Sequence, residues 1–276
     1  MTLHVAIIGI DGSGKSTVTP ALASLAAAEL GVTAAAVGED VWCKTPIEDL
    51  CMPGFAPDGQ MLSVRLGRLF RWMSKSFTAH RRLYPPVKLL HLAAQAWIVQ
   101  QVAGRYRPDA IFCEGNLLLS AAARAINYVD AQPTAPASLF PHLNLLYTYV
   151  MEGKRLPAYM SRAIPGLKMM RWLRTLDTRR MPGLMTPPHA VVYLDIAPEA
   201  ALARLMASGR KLDPHENMRD LTQARWMYRH VVAFFRCRWN EKRATTIDVT
   251  HLAIGQTLQR ILDFVRTLPI RAGENE

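Results

Sequence analysis

The amino-acid sequence predicts a three-layer α/β protein with a central sheet of five parallel strands. Five short apolar runs lack the polar alternation of half-exposed strands, which indicates strands that are covered on both faces. Helical stretches separate these runs and end at glycine or before proline, the usual stop signals. With 276 residues, of which 50% are apolar, the chain is long enough for one such domain with insertions.

Strands and helices alternate along the chain, as is typical of the α/β class. We predict strands at residues 4–8, 32–37, 110–113, 191–194 and 245–249. The helices between them are predicted at 16–30, 87–106 and 198–208. Two further segments, at about 43–86 and 130–188, exceed ordinary connection lengths and are interpreted as insertions. The prediction is a single domain over residues 1–270, followed by a short tail at 271–276.

A glycine-rich loop directly follows the first predicted strand. The run GIDGSGKST, Gly9 to Thr17, fits the pattern G-x-x-x-x-G-K-[ST] and directly precedes the first helix. In such a P-loop the backbone N–H groups surround phosphates, Lys15 reaches the β- and γ-phosphates, and the Ser16 hydroxyl meets Mg²⁺. The loop therefore predicts binding of a nucleoside triphosphate with Mg²⁺. The predicted binding residues are Gly9, Asp11, Gly12, Ser13, Gly14, Lys15, Ser16 and Thr17.

Composition narrows the partners of the protein only to anions. The formal net charge is +11, and such a surplus attracts phosphorylated ligands, nucleic acid or anionic lipid without choosing among them. The four cysteines are scattered, without the spacing of a zinc site or a disulfide framework. Polar residues interrupt the longest apolar stretches, and the N-terminus lacks the pattern of a signal peptide, so we expect a cytoplasmic protein.

The segment VVYLDIAPEAALARLMASGRKLDPHE, residues 191–216, resembles a stretch of the thymidylate kinases. In that family a strand ending in Leu-Asp leads to a helix, an arginine-rich lid and a glutamate, and the family's P-loop is similar to the loop described above. The resemblance implies a nucleoside monophosphate kinase-like fold with strand order 2-3-1-4-5. It further implies ATP and Mg²⁺ as the phosphoryl donor, a lid at about 204–216, and a homodimer.

Cations placed around the transferred group are the main requirement of phosphoryl transfer. Lys15 and, within the lid, Arg210 are therefore the predicted catalytic cations. Arg204 lies in the helix before the lid, where the matching arginine of similar kinases helps to hold the base. A solvated helix charge is the alternative interpretation of Arg204.

Carboxylates at strand ends are further candidates, because ligands of parallel sheets bind at the carboxyl edge. Asp11 matches an acidic loop residue that thymidylate kinases direct toward the acceptor sugar; a cap for backbone N–H groups is the alternative. Glu39 follows the second strand and matches a glutamate of deoxynucleoside kinases that accepts the proton of the acceptor hydroxyl; an acid of a solvated loop is the alternative interpretation. Glu114 ends the third strand and is predicted to bind Mg²⁺ or a hydroxyl. Asp195 ends the fourth strand and is predicted to cap the following turn.

The middle of the chain leaves the acceptor open. Gly115 stands where the similar kinases carry an arginine, so Arg124 or an arginine of an insertion would have to replace it. Short amphipathic patterns with basic residues at 66–73 and 167–174 fit core-facing helices, a cationic acceptor site or attachment to an anionic membrane. Nucleic acid is disfavoured as a partner, because these basic residues form no recognised module.

These features predict an ATP-dependent kinase that acts on a small acceptor, in the first place a nucleoside monophosphate. A nucleoside, a sugar or a lipid-linked metabolite is the alternative acceptor. The competing class is a P-loop ATPase or switch whose insertions bind a partner or a membrane surface. The lid favours transfer, because a lid excludes water from the reacting group.

Overall fold

The structure, a computed structural model, covers most of the α/β domain. It describes residues 2–38, 62–77, 83–125, 143–145, 147–149, 152, 154–155, 167–179, 185–209, 211–213, 216–239 and 241–269. Among these residues, no helix combines the length and the apolar character needed to cross a membrane.

Five parallel strands form one sheet in the order β2-β3-β1-β4-β5. The strands are β1 Leu3–Ile8, β2 Ala34–Val37, β3 Ala110–Glu114, β4 Ala190–Asp195 and β5 Ala244–Asp248. Four of them are buried along nearly their whole length, which explains why their sequences lack polar alternation. Both the five-stranded α/β prediction and the strand order that the resemblance implied are confirmed.

Helices connect and cover these strands. In the described part of the chain they are α1 Lys15–Leu30, α2 Leu62–Ser76, α3 Tyr84–Tyr106, α4 Leu117–Ala125, α5 Leu167–Arg179, α6 Pro198–Ala207, α7 Met218–Arg238 and α8 Ile254–Arg266. Helix α3 starts at Tyr84, three residues before its predicted start, because Pro85 and Pro86 fit the first turn, where no helical N–H bond is lost. Helices α2 and α5 show that both basic amphipathic patterns are helical.

Alternate residues of β1 belong to two different hydrophobic clusters. Val5 and Ile7 pack in the cluster that contains residues of α1 and α8, whereas Ala6 and Ile8 pack with residues of α4 and α7. Because successive strand side chains point to opposite faces, the sheet is covered by helices on both sides. This three-layer arrangement leaves the carboxyl edge of the sheet as the place for a ligand.

Candidate active site

The P-loop joins β1 to α1 and packs closely against α6. Gly12 has a φ of +82°, and a Cβ atom there would lie 2.6 Å from the backbone oxygen of Ala201. Any side chain at this position would therefore be strained in φ and would clash with α6. Glycine at position 12, where the pattern itself allows any residue, thus has a structural reason in this chain.

Polar groups of the loop fit a phosphate ligand. The Lys15 ammonium donates a hydrogen bond to the Ile10 carbonyl at 2.8 Å and lies 3.8 Å from an oxygen of Asp11. The Ser13 hydroxyl is buried and has no hydrogen-bond partner among the described residues. Ser16 and Thr17 are exposed toward a cavity. A buried hydroxyl without a hydrogen-bond partner is unfavourable, and an oxygen of a phosphate bound in the loop would supply the missing hydrogen bond.

A cavity of about 600 Å³ lies above the loop at the carboxyl edge of the sheet. Its lining includes residues 11–18 of the P-loop and first helix, together with Glu114 at the end of β3. One part of its lining, which we call the β5–α8 wall, consists of Arg204, Val249, Leu252, Ala253, Ile254 and Thr257. A volume of this size is typical of sites for small molecules.

Arg204 is fixed within the β5–α8 wall. Its guanidinium donates to the backbone oxygen of Val249 at 2.7 Å and approaches that of Thr250 at 3.4 Å. The side chain therefore bridges α6 to the segment after β5 while it lines the cavity. Arg204 is also exposed to solvent, and its contact with a base stays a prediction.

A second set of lining residues comes from α2 and α3, and the sequence had offered a cationic acceptor site only as one of three interpretations of the pattern at 66–73. This α2–α3 cluster consists of Arg71, Ser74, Lys75, Tyr84 and Lys88. Lys88 is buried, with its ammonium 3.3 Å from Nδ1 of His91. In the sequence, only the spacing of Arg71, Ser74 and Lys75, three and four residues apart, indicated that these residues share one side of a helix.

Glu114 and Gly115 form the end of β3. Glu114 is buried at the cavity, and its backbone carbonyl accepts a hydrogen bond from Gln95 at 2.8 Å. Gly115 has a φ of +81°, and a Cβ atom there would lie 3.3 Å from the Ser120 hydroxyl. An arginine at position 115 would thus be strained in this backbone. Arg71, an arginine of the first insertion, lines the same cavity as Glu114.

The end of the predicted lid is anchored by Glu216. This buried side chain accepts a hydrogen bond from the backbone N–H of Asp213 at 2.7 Å. The backbone carbonyl of Asp213 in turn accepts a hydrogen bond from the backbone N–H of Glu216 at 2.9 Å. Both residues line the cavity. Two of the predicted catalytic residues, Glu39 and Arg210, lie outside the described residues.

Asp195 does not cap the turn that follows β4. Its carboxylate accepts hydrogen bonds from the guanidinium groups of Arg225 and Arg229 on α7, at 2.7 Å for the shortest contact with Arg225. The Tyr193 hydroxyl donates to the same carboxylate at 3.1 Å. Burial raises the pKa of Asp195, but the hydrogen bonds and charges of the two arginines outweigh it and hold that pKa below its usual value. The turn prediction was wrong because α7 brings two cations to this carboxylate.

Comparisons with known proteins bear on the fold. No family model and no curated protein sequence matches the chain. Among solved structures, thymidylate kinase from Candida albicans is similar over 96% of this chain and 92% of its own, with 17% identity and a TM-score of 0.51. A deoxyadenosine kinase from M. mycoides matches 96% of this chain and 100% of its own, with 12% identity and a TM-score of 0.49. With its P-loop and strand order, the chain therefore has the α/β fold of the P-loop kinases that thymidylate kinase exemplifies.

Proposed function

We propose that the protein is an ATP-dependent kinase whose acceptor already carries a phosphate group, in the first place a nucleoside monophosphate. The observation that carries this proposal is that the P-loop and the α2–α3 cluster line the same cavity. Three further cations of this lining, Arg71, Lys75 and Lys88, come from α2 and α3. A site that binds ATP alone does not require them. An anionic acceptor explains them.

The donor half of the site is assigned to the P-loop and the β5–α8 wall. The loop N–H groups and Lys15 bind the phosphates, the Ser13 hydroxyl gains its missing partner, and Arg204 packs against the base. Ser16 and Glu114 are the residues that would hold Mg²⁺. A cation bound there would neutralise charge that develops on the phosphates during transfer.

The acceptor half of the site is assigned to the α2–α3 cluster. Arg71 offers the planar fork that suits a phosphate, and Lys75 and Lys88 add point charges. Ser74 and Tyr84 supply hydroxyl groups for orientation. In the resembling kinases an arginine after β3 holds the acceptor or its phosphate. The backbone at Gly115 does not favour an arginine, and the cluster is assigned this role instead.

Positioning and charge stabilisation account for the proposed reaction. The two halves of the cavity hold donor and acceptor so that the γ-phosphoryl group faces the acceptor oxygen, and Lys15 stabilises the charge on the transferred group. Arg210 is assigned to the same task from the lid, and closure of the lid excludes water. If the acceptor oxygen belongs to a hydroxyl, Glu39 is the assigned base; a phosphate acceptor requires none.

The test is ATP consumption with Mg²⁺ against a panel of nucleoside monophosphates, nucleosides, sugar phosphates, sugars and polyprenols. We expect ADP release that depends on a phosphorylated acceptor. Lys15→Ala should lower kcat by about a thousandfold, the size typical for loss of a group that stabilises transition-state charge. Lys242→Ala, on an exposed lysine outside both the predicted lid and the cavity lining, is the matched control.

Two other results would redirect the proposal. Turnover with nucleosides or sugars but not with their phosphates would assign the α2–α3 cluster another task and identify a hydroxyl kinase. Hydrolysis that no acceptor stimulates would favour the ATPase or switch. Full activity of Lys15→Ala would contradict the assignment of the P-loop itself.

A further inference from the structure

Helix α2 has a second face that points away from the core and that shares only Lys75 with the cavity lining. Gly67 and Ser74 are buried and Phe70 packs against the core, which defines the inner face of the helix. The residues exposed on the other side recur at helical spacing. This outer face of α2 consists of Arg65, Arg68, Leu69, Trp72, Lys75 and Ser76.

The outer face combines apolar and cationic side chains. Trp72 is 67% exposed and Leu69 is 48% exposed, and the two are three residues apart, so they form one apolar ridge. Three basic residues, Arg65, Arg68 and Lys75, surround this ridge on the exposed side. Neither α2 nor α3, the helix that packs on it, contains an aspartate or glutamate.

We propose that the outer face of α2 binds the surface of an anionic lipid bilayer. A helix that lies in the interface of a bilayer needs an apolar stripe to enter the acyl boundary and flanking cations to meet lipid headgroups. Trp72 is suited to this boundary, because its ring is apolar and its indole N–H remains hydrogen-bonded near the headgroups. The net charge of +11 favours the same partner.

A second copy of the chain fits this face less well. A two-fold interface would set the same patch against itself, and Arg65, Arg68 and Lys75 would then meet their own copies. Single-stranded nucleic acid would use the cations and stack on Trp72, but it would leave Leu69 without a role. A bilayer is the partner that uses both parts of the surface.

Docking through this face would place the cavity beside the membrane. Lys75 belongs both to the outer face and to the cavity lining, and Arg71 lies on the same helix. The acceptor half of the proposed site therefore adjoins the docking surface. Binding to the bilayer does not depend on the proposed kinase activity, so the two proposals fail or succeed separately.

The experiment measures flotation of the purified full chain with phosphatidylcholine vesicles and with vesicles that also contain phosphatidylserine. We expect binding only to the anionic vesicles, and weaker binding at high salt. Trp72→Ser should lower the affinity about tenfold by removing an interfacial anchor. Met206→Ser is the control, because Met206 is a large apolar side chain of similar exposure, 63%, on α6 and outside both the outer face of α2 and the cavity lining.

Two variants that each reverse the charge of one arginine complete the test. Arg65→Glu should weaken binding at low salt, whereas Arg260→Glu makes the same change on an exposed position of α8 and should have less than half that effect. The proposal is overturned if Trp72→Ser and Met206→Ser behave alike. It is also overturned if Trp72→Ser instead abolishes a dimer or the binding of single-stranded DNA while vesicle binding is absent.

Discussion

Two lysines of the cavity illustrate what single residues contribute. The Lys15 ammonium donates to the Ile10 carbonyl in the loop, so the proposed contact with phosphates would compete with this hydrogen bond. Lys88 is buried beside His91 and comes from a helix that carries no part of the motif. The first was predictable from the spacing of the loop, and the second only from the packing of α3 against the sheet.

Replacing Arg71 tests the acceptor half of the site. In Arg71→Ala we expect the KM for the phosphorylated acceptor to rise about tenfold to a hundredfold, while the KM for ATP changes little, because a charge-assisted phosphate contact is lost. Steady-state kinetics with each substrate varied in turn give both constants. Arg105→Ala, on an exposed arginine at the far end of α3, is the control. Equal changes in both KM values would remove Arg71 from the acceptor half.

His4 predicts a pH dependence of stability. Burial, with a smaller contribution from the nearby His189, lowers the pKa of His4 to about 4. The unfolded chain takes up this proton below pH ~6.5, whereas the folded protein resists protonation until about pH 4. The free energy of unfolding should therefore fall as the pH drops through this window, by up to about 3 kcal/mol from this group.

Denaturant unfolding at several pH values checks the role of His4. His4→Val should remove most of the loss of stability between pH 6.5 and 4, because its side chain takes up no proton. His251→Val changes an exposed histidine and serves as the control. An unchanged pH slope in His4→Val would show that other groups cause the acid sensitivity.

At the scale of elements, one carboxylate joins a strand to a helix. Asp195 is 7% exposed at the end of β4, and its partners Arg225 and Arg229 lie one turn apart on α7. The two arginines are themselves partly solvated, at 23% and 54% exposed. The contact therefore fixes α7 against the sheet without enclosing three charges in a dry interior.

Asp195→Asn should lower the free energy of unfolding by about 2 kcal/mol. This is less than the 3–5 kcal/mol typical of a fully buried pair, because water can solvate both arginines once the carboxylate is gone. Asp263→Asn removes an exposed partner of Arg266 and should change stability by less than about 0.5 kcal/mol. Because the pKa of Asp195 is lowered on folding, its contribution is present at neutral pH and is lost as the pH falls below its usual value of 3.8. Equal losses in the two variants would contradict a stabilising role for the Asp195 contact.

At the scale of the whole molecule, ligand binding should be visible as stability. A ligand that binds only the folded state adds about 2.7 kcal/mol at a hundred times its Kd, so ATP with Mg²⁺ should raise the thermal midpoint by several degrees. The rise should shrink when Mg²⁺ is omitted and vanish in Lys15→Ala. Differential scanning fluorimetry measures it. An equal rise in Lys15→Ala would place the nucleotide elsewhere than in the P-loop.

The sheet could be predicted from the sequence because its signals are local. The loop from Gly9 to Thr17 specifies a strand before it and a helix after it, and the apolar runs give the other strands. For the α2–α3 cluster the sequence offered only one of several interpretations of the basic pattern at 66–73, because the choice depends on how an insertion folds back onto the cavity. The partners of Asp195 lie 30 and 34 residues away in the chain, and no local pattern indicates such a contact.

The continuity of the cavity has a consequence for inhibitor design. Because the P-loop and the α2–α3 cluster line one volume of about 600 Å³, a compound that joins a nucleotide to a second phosphorylated group through a short phosphate chain would span both. Such a joined molecule loses its translational and rotational freedom once rather than twice, so it should bind more tightly than either fragment alone. The length of chain that binds best would measure the distance between the two phosphate sites.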